Sequence, residues 1–306
     1  MVTIPISSSA TQSWLASMSN YSRVLILGGG GWFGRTSLLL LSNSPLHVLA
    51  VGSRGRKVEV GPKSHAIGAW NLAEIQRFSP DLVLDFAFLT RGYLGRIGVQ
   101  DYIEANEALT AQLREVVSLS SVRAVFSISS GLVSMNPGDP YARGKARAEQ
   151  ALMEERQSND FNLVIARAWS VSGSFVRNPD EYALSSFVRQ GLDSGKITVS
   201  ADRLVYRRYC AVEELLAVGL FFTTCKPFHL LDSGGERIEI GKLAESIARR
   251  IPGAWVDYAH PERASRGSDA YLSDNKSWRH GLQKSQVTPM TIGAQIDNVI
   301  ASFRSR

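Results

Sequence analysis

The chain alternates short apolar runs with stretches whose apolar residues recur at helical spacing, from about residue 22 onward. Five apolar runs have the length and composition of buried strands: VLIL (24–27), LHVLAVG (46–52), DLVLDFAFL (81–89), VRAVFSIS (122–129) and NLVIARAW (162–169). Helical spacing is clearest at 102–120 and at about 141–157. Strands that are apolar on both faces and separated by helices predict a mostly parallel sheet with helices on both sides.

The last third of the chain changes this pattern. A strand and turn at 228–235 lead into a short strand and helix at 236–251, and an amphipathic helix is predicted near 291–303. We therefore predict an α/β fold, a Rossmann-type doubly wound parallel sheet with a smaller C-terminal substrate-binding lobe. The predicted parts are a dinucleotide-binding domain of residues 21–170 plus about 207–235, and a substrate-binding lobe of about 171–206 and 236–306.

The first twenty residues are predicted to be a flexible extension. They contain no Lys or Arg and no long apolar core, so they do not resemble a signal peptide. No segment approaches the roughly 20 apolar residues that span a bilayer. We therefore expect a cytoplasmic protein without a membrane partner.

Composition narrows the function classes further. The chain has 306 residues, of which 44% are hydrophobic and 20% charged, as is typical of soluble globular proteins. The spacing of its two cysteines, Cys210 and Cys225, fits neither a disulfide framework nor a metal site, so a reducing compartment and no metal are expected. The net charge of +6 comes from scattered arginines, which favours anionic small molecules over nucleic acid.

Residues 28–34, GGGGWFG, follow the first predicted strand and precede a helix. In that context, backbone N–H groups of a glycine loop and the helix N-terminus can approach a pyrophosphate. Gly29, Gly31 and Gly34 satisfy the spacing G-x-G-x-x-G, and Gly28, Gly31 and Gly34 equally satisfy G-x-x-G-x-x-G. The loop alone does not choose between these spacings.

The end of the second predicted strand indicates which dinucleotide is bound. An NAD site would place Asp or Glu there to accept hydrogen bonds from the ribose 2′-OH, but the sequence reads VGSRGRK at 51–57. Ser53 and Arg54 suit the 2′-phosphate of NADP, with Arg56 or Lys57 as helpers. The other interpretation is a basic solvated turn. The sequence thus favours NADP (NADPH) over NAD.

A tyrosine and a lysine lie at helical spacing behind another strand. Asp139 and Pro140 are suited to the N-cap and first turn of a helix, which puts Tyr141 and Lys145 on the same face. A cation and a helix N-terminus beside the phenol are expected to lower the pKa of Tyr141 toward neutrality, so that it can exchange a proton with substrate. Ser130, at the end of the preceding strand, could hydrogen-bond the same substrate oxygen.

In this order, the glycine loop, the serine and Y-x-x-x-K resemble the extended short-chain dehydrogenase/reductase family of nucleotide-sugar epimerases, dehydratases and reductases. The resemblance covers about residues 22 to 304, because weaker landmarks follow in register: YIEANEALT (102–110), RAWSVSG (167–173), YRRYCAVEEL (206–215), LLDSGGERIEIGKLAESI, and SDNKSWRHGL with Thr288-Pro289. It selects Gly28, Gly31 and Gly34 as the glycines of the motif.

The resemblance also implies a set of site residues. The implied catalytic residues are Ser130, Tyr141 and Lys145. Those implied to bind the cofactor are Gly28, Gly31, Trp32, Phe33, Gly34, Ser53, Arg54, Ala87, Asn106, Tyr141 and Lys145. Those implied to bind the nucleotide-sugar substrate are Ser170, Arg207 and Arg266, the two arginines through its phosphates.

The chain departs from the family at three places. Ser170 stands where the family usually has Asn, and Arg208 and Glu214 stand where it has aspartates. Dehydratases of the family carry an Asp-Glu pair directly after the catalytic serine or threonine, whereas Ser130 is followed by Gly131 and a leucine. Dehydration is therefore disfavoured.

These features predict an oxidoreductase that reduces a keto group on a nucleotide-activated sugar. NADPH would deliver hydride to the ketone carbon, Tyr141 would protonate its oxygen, Ser130 would orient that oxygen, and Lys145 would hold the ribose and lower the pKa of Tyr141. The alternatives are an epimerase with tightly bound NAD and a non-catalytic NADP-binding sensor. The helices at 102–118 and 141–157 are candidates for the homodimer interface common in the family.

Overall fold

The structure is a computed structural model and describes residues 8–305. Its strands are β1 (Arg23–Leu27), β2 (His47–Gly52), β3 (Arg56–Val60), β4 (Lys63–Ala69), β5 (Leu82–Asp85), β6 (Ala124–Ser130), β7 (Asn162–Ala168), β8 (Val171–Ser172), β9 (Lys196–Val199), β10 (Leu204–Ala211), β11 (Phe228–Asp232), β12 (Glu236–Glu239), β13 (Trp255–Tyr258) and β14 (Ser268–Tyr271). Its helices are α1 (Ser8–Met18), α2 (Trp32–Leu41), α3 (Leu72–Phe78), α4 (Leu94–Ile97), α5 (Val99–Val117), α6 (Leu132–Met135), α7 (Pro140–Ser158), α8 (Ala183–Ser194), α9 (Val212–Thr223), α10 (Ile240–Ala248), α11 (Lys276–Ser285) and α12 (Ile292–Arg304).

An eight-stranded sheet in the order β11-β7-β6-β5-β1-β2-β4-β3 forms the centre of the molecule. Seven strands run parallel, and β3, at one edge, is antiparallel to β4. Both β5 and β6 are buried along their whole length, as strands covered on both faces must be. The strand order reverses at β1, so the carboxyl ends of β1 and β5 border the crevice where such sheets bind ligands. The predicted α/β Rossmann-type fold is confirmed.

Side chains of the central strand alternate between two cores. On β1, Val24 and Ile26 join a hydrophobic cluster with α9, whereas Leu25 and Leu27 join a cluster with α5 on the opposite face. This alternation follows from the pleat, which points successive side chains to opposite faces. It explains why the strand is apolar at every position.

A β-hairpin formed by β3 and β4 fills the interval in which the sequence predicted no strand. Val58, Val60 and Ile67 point into the core and alternate with exposed polar residues. Gly61 makes the turn with a φ of +59°, a conformation that glycine adopts without strain. The hairpin brings Arg56 back toward the glycine loop.

The N-terminal segment is helical where the structure describes it, so the predicted flexibility of residues 1–20 is wrong for residues 8–18. Residues 1–7 lie outside the described part. Ala10, Trp14 and Met18 are essentially inaccessible to solvent and pack α1 against α9. Their i, i+4, i+8 spacing gives the helix one apolar face, whose burial stabilises it.

A third hydrophobic cluster joins α8, α10 and α12 with β9. Next to it lies a small sheet in the order β12-β10-β14. The short strand β8 also pairs with β10, in parallel. Apart from Tyr209, the buried residues of the third cluster come from the segments predicted to form the substrate-binding lobe. The domain boundaries themselves stay a prediction.

Over residues 8–305, no helix combines the length and apolar character that a membrane span requires. Within the same residues, no cluster of three or more His, Cys, Asp or Glu side chains could hold a metal ion.

Candidate active site

The glycine loop makes two close backbone approaches that side chains would prevent. Gly28 has a φ of +77°, and a Cβ there would lie 2.8 Å from the carbonyl carbon of Phe86. A Cβ on Gly34 would lie 2.5 Å from the carbonyl oxygen of Gly28, where α2 passes over the loop. Gly31 is the N-cap of α2, so its neighbours present free backbone N–H groups toward the crevice. The geometry supports the spacing of Gly28, Gly31 and Gly34.

Packing also explains why the other two positions of the loop, 29 and 30, are glycine, which the sequence alone did not show. A Cβ on Gly29 would lie 2.9 Å from the Cβ of Ala50 on β2. A Cβ on Gly30 would overlap the guanidinium of Arg56, whose Nη2 donates a hydrogen bond to the Gly30 carbonyl oxygen at 3.1 Å. The loop is therefore packed against β2 on one side and covered by an arginine on the other.

Arg56 belongs to a basic cluster at this end of the crevice, which we define as Arg54, Arg56 and Arg177. Partial burial and the charges of its two neighbours lower the pKa of Arg56. None of the three makes an ion pair with an acid among residues 8–305. Ser53 and Lys57 lie beside the cluster and are exposed. Unneutralised guanidinium groups suit a phosphate.

The aromatic residues after Gly31 face different surroundings. Trp32 stacks edge-on against Tyr182 with ring centroids 5.2 Å apart, and its buried Nε1 has no hydrogen-bond partner among the described residues. Phe33 packs on Phe86, 5.7 Å between centroids, at the edge of the core. Trp32 therefore connects the glycine loop to the part of the chain that follows β8.

The segment after β5 is held by two buried polar side chains of α5. The Oδ1 atom of Asn106 accepts from the N–H of Leu89 at 2.8 Å, and the hydroxyl of Tyr102 donates to the Leu89 carbonyl at 2.7 Å. Ala87 lies in this segment, and its N–H donates to Asp85 at 3.3 Å. The Nδ2 atom of Asn106 donates to the Tyr102 carbonyl. Both polar atoms of the Asn106 side chain are thus hydrogen-bonded, and they hold the segment after β5 against α5.

Tyr141 lies in the first turn of α7, as the sequence predicts. Asp139 is the N-cap and accepts from the N–H of Tyr141 at 2.8 Å, and Pro140 occupies the first turn. Its ring packs edge-on against Phe88 with centroids 5.8 Å apart, and its hydroxyl lies close enough to Ser130 for that side chain to act on the pKa of the phenol. The carboxyl end of β6 and the N-terminus of α7 thereby bring serine and tyrosine together.

The expected low pKa of Tyr141 is wrong for the protein alone. Burial raises the pKa of Tyr141 well above its usual range, and the nearby Ser130 side chain offsets only part of this. Lys145 does not act on the phenol, because its ammonium is engaged elsewhere. Its Nζ donates to the Ile128 carbonyl at 2.7 Å and lies 4.0 Å from the ring centroid of Phe88.

Burial lowers the pKa of Lys145 to about 8, against the opposing charges of Asp85 and Glu149. Asp85 ends β5, is fully buried and accepts a hydrogen bond from Ser127 Oγ at 2.7 Å. The same burial raises the pKa of Asp85. The lysine therefore lies in a buried environment of low dielectric constant, near the carboxyl group of Asp85. The sequence analysis did not identify Asp85 as a residue of the site.

The opposite wall of the site comes from the small sheet. Burial raises the pKa of Tyr271 on β14 and the nearby Ser130 side chain lowers it, and the Tyr271 ring lies 4.9 Å from the ring of Trp169. Arg207, its register partner on β10, holds its guanidinium 5.5 Å from the centroid of Tyr271. Ser170 lies next to Trp169 and accepts from the N–H of Cys210 with its carbonyl. Arg207 is thus brought to the catalytic residues.

Arg266 is not part of this arrangement. Its Nη2 is 2.5 Å from Glu262 on the same helical turn, and about half of its side chain is exposed. Its charge acts on Glu262 and on Asp202, which precedes β10. The phosphate role implied for Arg266 has no support in this geometry.

Sequence reasoning missed four residues that line the site: Phe88, Trp169, Tyr182 and Tyr271. Trp169 stands inside the landmark RAWSVSG, whereas the other three have no motif around them. The fold brings Phe88 to Tyr141, Tyr182 to Trp32, and Trp169 and Tyr271 to each other. A signal existed for Phe88, which lies inside the predicted apolar run 81–89 and, in the structure, shortly after the carboxyl end of β5.

Comparisons with known proteins identify the family of the chain. The family model described as NAD dependent epimerase/dehydratase family matches residues 24–226, about two thirds of the chain. A search of curated proteins finds no significant match.

Several solved structures share the fold at low identity. TunA, an NAD dependent NDP-hexosamine 5,6-dehydratase involved in tunicamycin biosynthesis, has 19% identity and a TM-score of 0.72, covering 93% of this chain and 98% of its own. MoeE5 in complex with UDP-glucuronic acid and NAD has 19% identity and a TM-score of 0.70, covering 93% and 99%. An epimerase from Methanothermobacter thermautotrophicus has 16% identity and a TM-score of 0.74, covering 97% and 96%.

The family match covers the glycine loop, Ser130, Tyr141 and Lys145. The resemblance to extended short-chain dehydrogenases/reductases that the sequence indicates is therefore confirmed. The chain belongs to the NAD dependent epimerase/dehydratase family.

Proposed function

We propose that the protein is an NADPH-dependent reductase of a keto group on a nucleotide-activated sugar. The observation that carries the choice of cofactor is the basic cluster of Arg54, Arg56 and Arg177 beside the glycine loop. A site for the free ribose of NAD would carry an acid at the end of β2, and residues 51–57 contain none. Guanidinium groups without acidic partners favour an additional phosphate.

The residues of the crevice fit a dinucleotide. The close approaches at Gly28 and Gly34 leave the loop without side chains, so a pyrophosphate can reach the backbone N–H groups at the start of α2. Trp32 Nε1 and the basic cluster supply further donors. When bound, NADPH supplies a hydride, and the protein supplies orientation and the proton.

The proton comes from Tyr141. Its high pKa keeps the phenol protonated at neutral pH, as a general acid must be before it acts. Ser130 lies near the phenol, and its hydroxyl would orient the substrate oxygen beside it. Lys145 lies on the same helix face, where a bound ribose hydroxyl can compete with Ile128 for its ammonium. A cation brought closer to Tyr141 in this way stabilises the phenolate that protonation of the substrate leaves behind.

The substrate would lie between Tyr141 and the small sheet. Arg207 supplies the cation for a diphosphate, and Tyr271, Trp169 and Tyr182 supply aromatic surface for the sugar and base. MoeE5, which shares the fold, binds UDP-glucuronic acid. A nucleotide sugar is therefore the substrate class that we favour.

Dehydration remains disfavoured on geometric grounds. A Cβ on Gly131 would overlap the indole ring of Trp169, so an acid cannot stand directly after Ser130 without displacing that ring. Trp169 is itself held by a hydrogen bond from its Nε1 to Asp232 at 2.8 Å.

Epimerisation with tightly bound NAD is the second candidate. It is favoured by the structural similarity to an epimerase and by the NAD that the MoeE5 complex contains. The same Ser130, Tyr141 and Lys145 would then first remove and later return a proton at one carbon. The two candidates differ in whether the cofactor leaves after each turnover.

We also propose a homodimer through α5 and α7. The helices pack together, and Arg114 bridges them through Glu155 at 2.7 Å. Their outer faces are lined by Ile103, Thr110 and Arg143, among others, and would form the four-helix interface. Light scattering of the purified protein should give twice the chain mass, and a mass of one chain would reject this proposal.

Incubating the purified protein with NADPH and a panel of keto-sugar nucleotides tests the proposed reaction. We expect oxidation of NADPH with one of them and no dinucleotide in the protein as purified. Copurified NAD with interconversion of UDP-sugars would identify an epimerase. Binding of NADPH without turnover over the whole panel would identify a sensor, and either result would reject the reductase.

A further inference from the structure

The carboxylate of Glu149 joins α7 to the strands β6 and β7. Ser129 on β6 and Arg167 on β7 are register partners, so their side chains project from the same face of the sheet. Ser129 Oγ donates to Glu149 Oε1 at 2.5 Å. Arg167 donates through Nε to Oε1 at 2.9 Å and through Nη2 to Oε2 at 2.6 Å. The side chains of the ion pair are mostly buried, and a bidentate pair of this kind fixes geometry as well as charge.

Arg167 extends this connection to the segment that follows Ser130. Its Nη1 donates to Ser134 Oγ at 2.9 Å, and Ser134 lies on α6, which begins two residues after Ser130. The pair of Glu149 and Arg167 therefore links the end of β6, the segment behind it and the helix that carries Tyr141.

Apolar packing alone defines the position of α7 along its axis poorly. The buried residues of the helix are Ala142, Lys145, Ala151 and Leu152. Only Leu152 is a large apolar residue, and apolar contacts are not directional, whereas hydrogen bonds are. Two such bonds hold this face of the helix to β6. Lys145 donates to the Ile128 carbonyl at 2.7 Å, and Glu149 accepts from Ser129, the next residue of the strand.

The same face of α7 carries the proposed proton donor. Tyr141, Lys145 and Glu149 follow one another at intervals of four residues, which places them in one row along the helix. Ser130 directly follows Ser129 on β6. A shift of α7 relative to Ser129 therefore changes the distance between Ser130 and Tyr141.

We propose that Glu149 is a positioning residue, which through Ser129 and Arg167 fixes α7 along β6 so that Ser130 and Tyr141 reach the same substrate oxygen. Small displacements matter here, because misplacing a reacting group by about 1 Å can cost about 10²-fold in rate. The consequence for catalysis rests on the proposed function; the coupling between Glu149 and the position of Tyr141 does not.

Kinetics with the keto-sugar substrate test the catalytic consequence. Glu149→Gln keeps the shape of the side chain and removes the charged partner of Arg167. We expect kcat per NADPH-binding site to fall about 10- to 100-fold, with KM and the affinity for NADPH changed by less than about threefold. The matched control is Glu154→Gln on the same helix, whose ion pair with Arg114 is about half exposed and which should keep the wild-type kcat.

A shorter acid separates position from charge. Glu149→Asp keeps the charge but lacks one methylene group, so its carboxylate cannot reach Ser129 and Arg167 as Glu149 does. We expect its kcat to fall at least about fivefold. Wild-type kcat in Glu149→Asp would show that only the charge matters, and wild-type kcat in Glu149→Gln would show that the link is dispensable; either result would overturn the catalytic role.

Nuclear magnetic resonance of protein labelled with ¹³C at tyrosine Cζ tests the coupling without any reaction. The Tyr141 signal, assigned with Tyr141→Phe, should move in Glu149→Gln because the phenol shifts against the Phe88 ring, 5.8 Å away between centroids. It should stay in place in Glu154→Gln. Ser129→Ala keeps the ion pair and removes only the bond to β6, so it should also move the signal and supplies the measurement if Glu149→Gln folds poorly.

A Tyr141 signal that stays at its wild-type position in the folded variants Glu149→Gln and Ser129→Ala would overturn the inference. Failure of the wild type to turn over any keto-sugar would reject the proposed function and leave the spectroscopic result standing.

Discussion

At the scale of single residues, burial controls the chemistry of the site more than the motif does. The motif Y-x-x-x-K suggests a lysine that acts on a tyrosine, but in the structure Lys145 bonds to Ile128 and faces Phe88. Tyr141 is correspondingly a phenol held in its protonated form. Spacing places two side chains on one face of a helix, whereas their partners depend on the strands that pack against that face.

Replacing Tyr141 with phenylalanine removes the proton donor and keeps the ring contact with Phe88. We expect turnover to fall by about 10²- to 10⁴-fold, the usual contribution of a general acid. The affinity for NADPH should change by less than about twofold, measured by fluorescence titration. Tyr258→Phe is the matched control and should retain wild-type turnover. Full activity of Tyr141→Phe would exclude the phenol as the acid.

Lys145 should make stability depend on pH above neutrality. Burial lowers its pKa from 10.5 to about 8, so the unfolded chain binds more protons than the folded chain between these values. The cost of burying the ammonium is present below pH 8 and is relieved as the pH rises toward 10.5. Lys145→Met lacks this titration and serves as the reference. Between pH 8 and pH 10, the free energy of unfolding of the wild type should therefore rise by about 1–2 kcal/mol relative to that of Lys145→Met. Urea denaturation at each pH measures this difference, and a constant difference would contradict it.

At the scale of elements, the buried strands were predictable and the edges of the fold were not. The five apolar runs correspond to β1, β2, β5, β6 and β7, because a strand buried on both faces is apolar throughout. The hairpin of β3 and β4 was missed since Arg56–Val60 reads as a charged turn until Val58 and Val60 are seen to share one face. Helix α1 was missed although Ala10, Trp14 and Met18 recur at helical spacing.

The helix α1 should contribute to the stability of the fold. Trp14 is fully buried against α9, so Trp14→Ala should lower the free energy of unfolding by about 3–5 kcal/mol. The neighbouring Leu15 is 41% exposed, and Leu15→Ala is the control with an effect below about 1 kcal/mol. Urea denaturation followed by circular dichroism measures both. Equal effects of the two variants would show that α1 does not pack as described.

At the scale of the whole molecule, the site forms where two cores meet. The main sheet provides the glycine loop, Ser130 and Tyr141, and these were found from sequence because they lie in short, ordered motifs. The small sheet provides Tyr271 and Arg207, which pair across β10 and β14. The sequence indicated Arg207 but not Tyr271. The two strands are more than sixty residues apart in the chain, so their pairing leaves no local pattern in the sequence.

The same limit applies to the cofactor end of the crevice. Sequence reasoning placed the 2′-phosphate on Ser53 and Arg54, with Arg56 or Lys57 as helpers. The hairpin instead folds Arg56 onto the glycine loop, while Lys57, the next residue, points away and is exposed. The alternation of a β-strand thus separates two adjacent basic residues into one that faces the crevice and one that does not.

The ratio of the affinities for NADPH and NADH, in the wild type and in Arg56→Ala, tests the central claim most directly. We predict that the wild type prefers NADPH and that Arg56→Ala weakens NADPH binding about 10- to 100-fold, the loss of one to two charge-assisted hydrogen bonds, with less than about threefold effect on NADH. Lys57→Ala is the control and should leave both affinities unchanged. Equal or tighter binding of NADH by the wild type, or an equal loss of both cofactors in Arg56→Ala, would contradict the account.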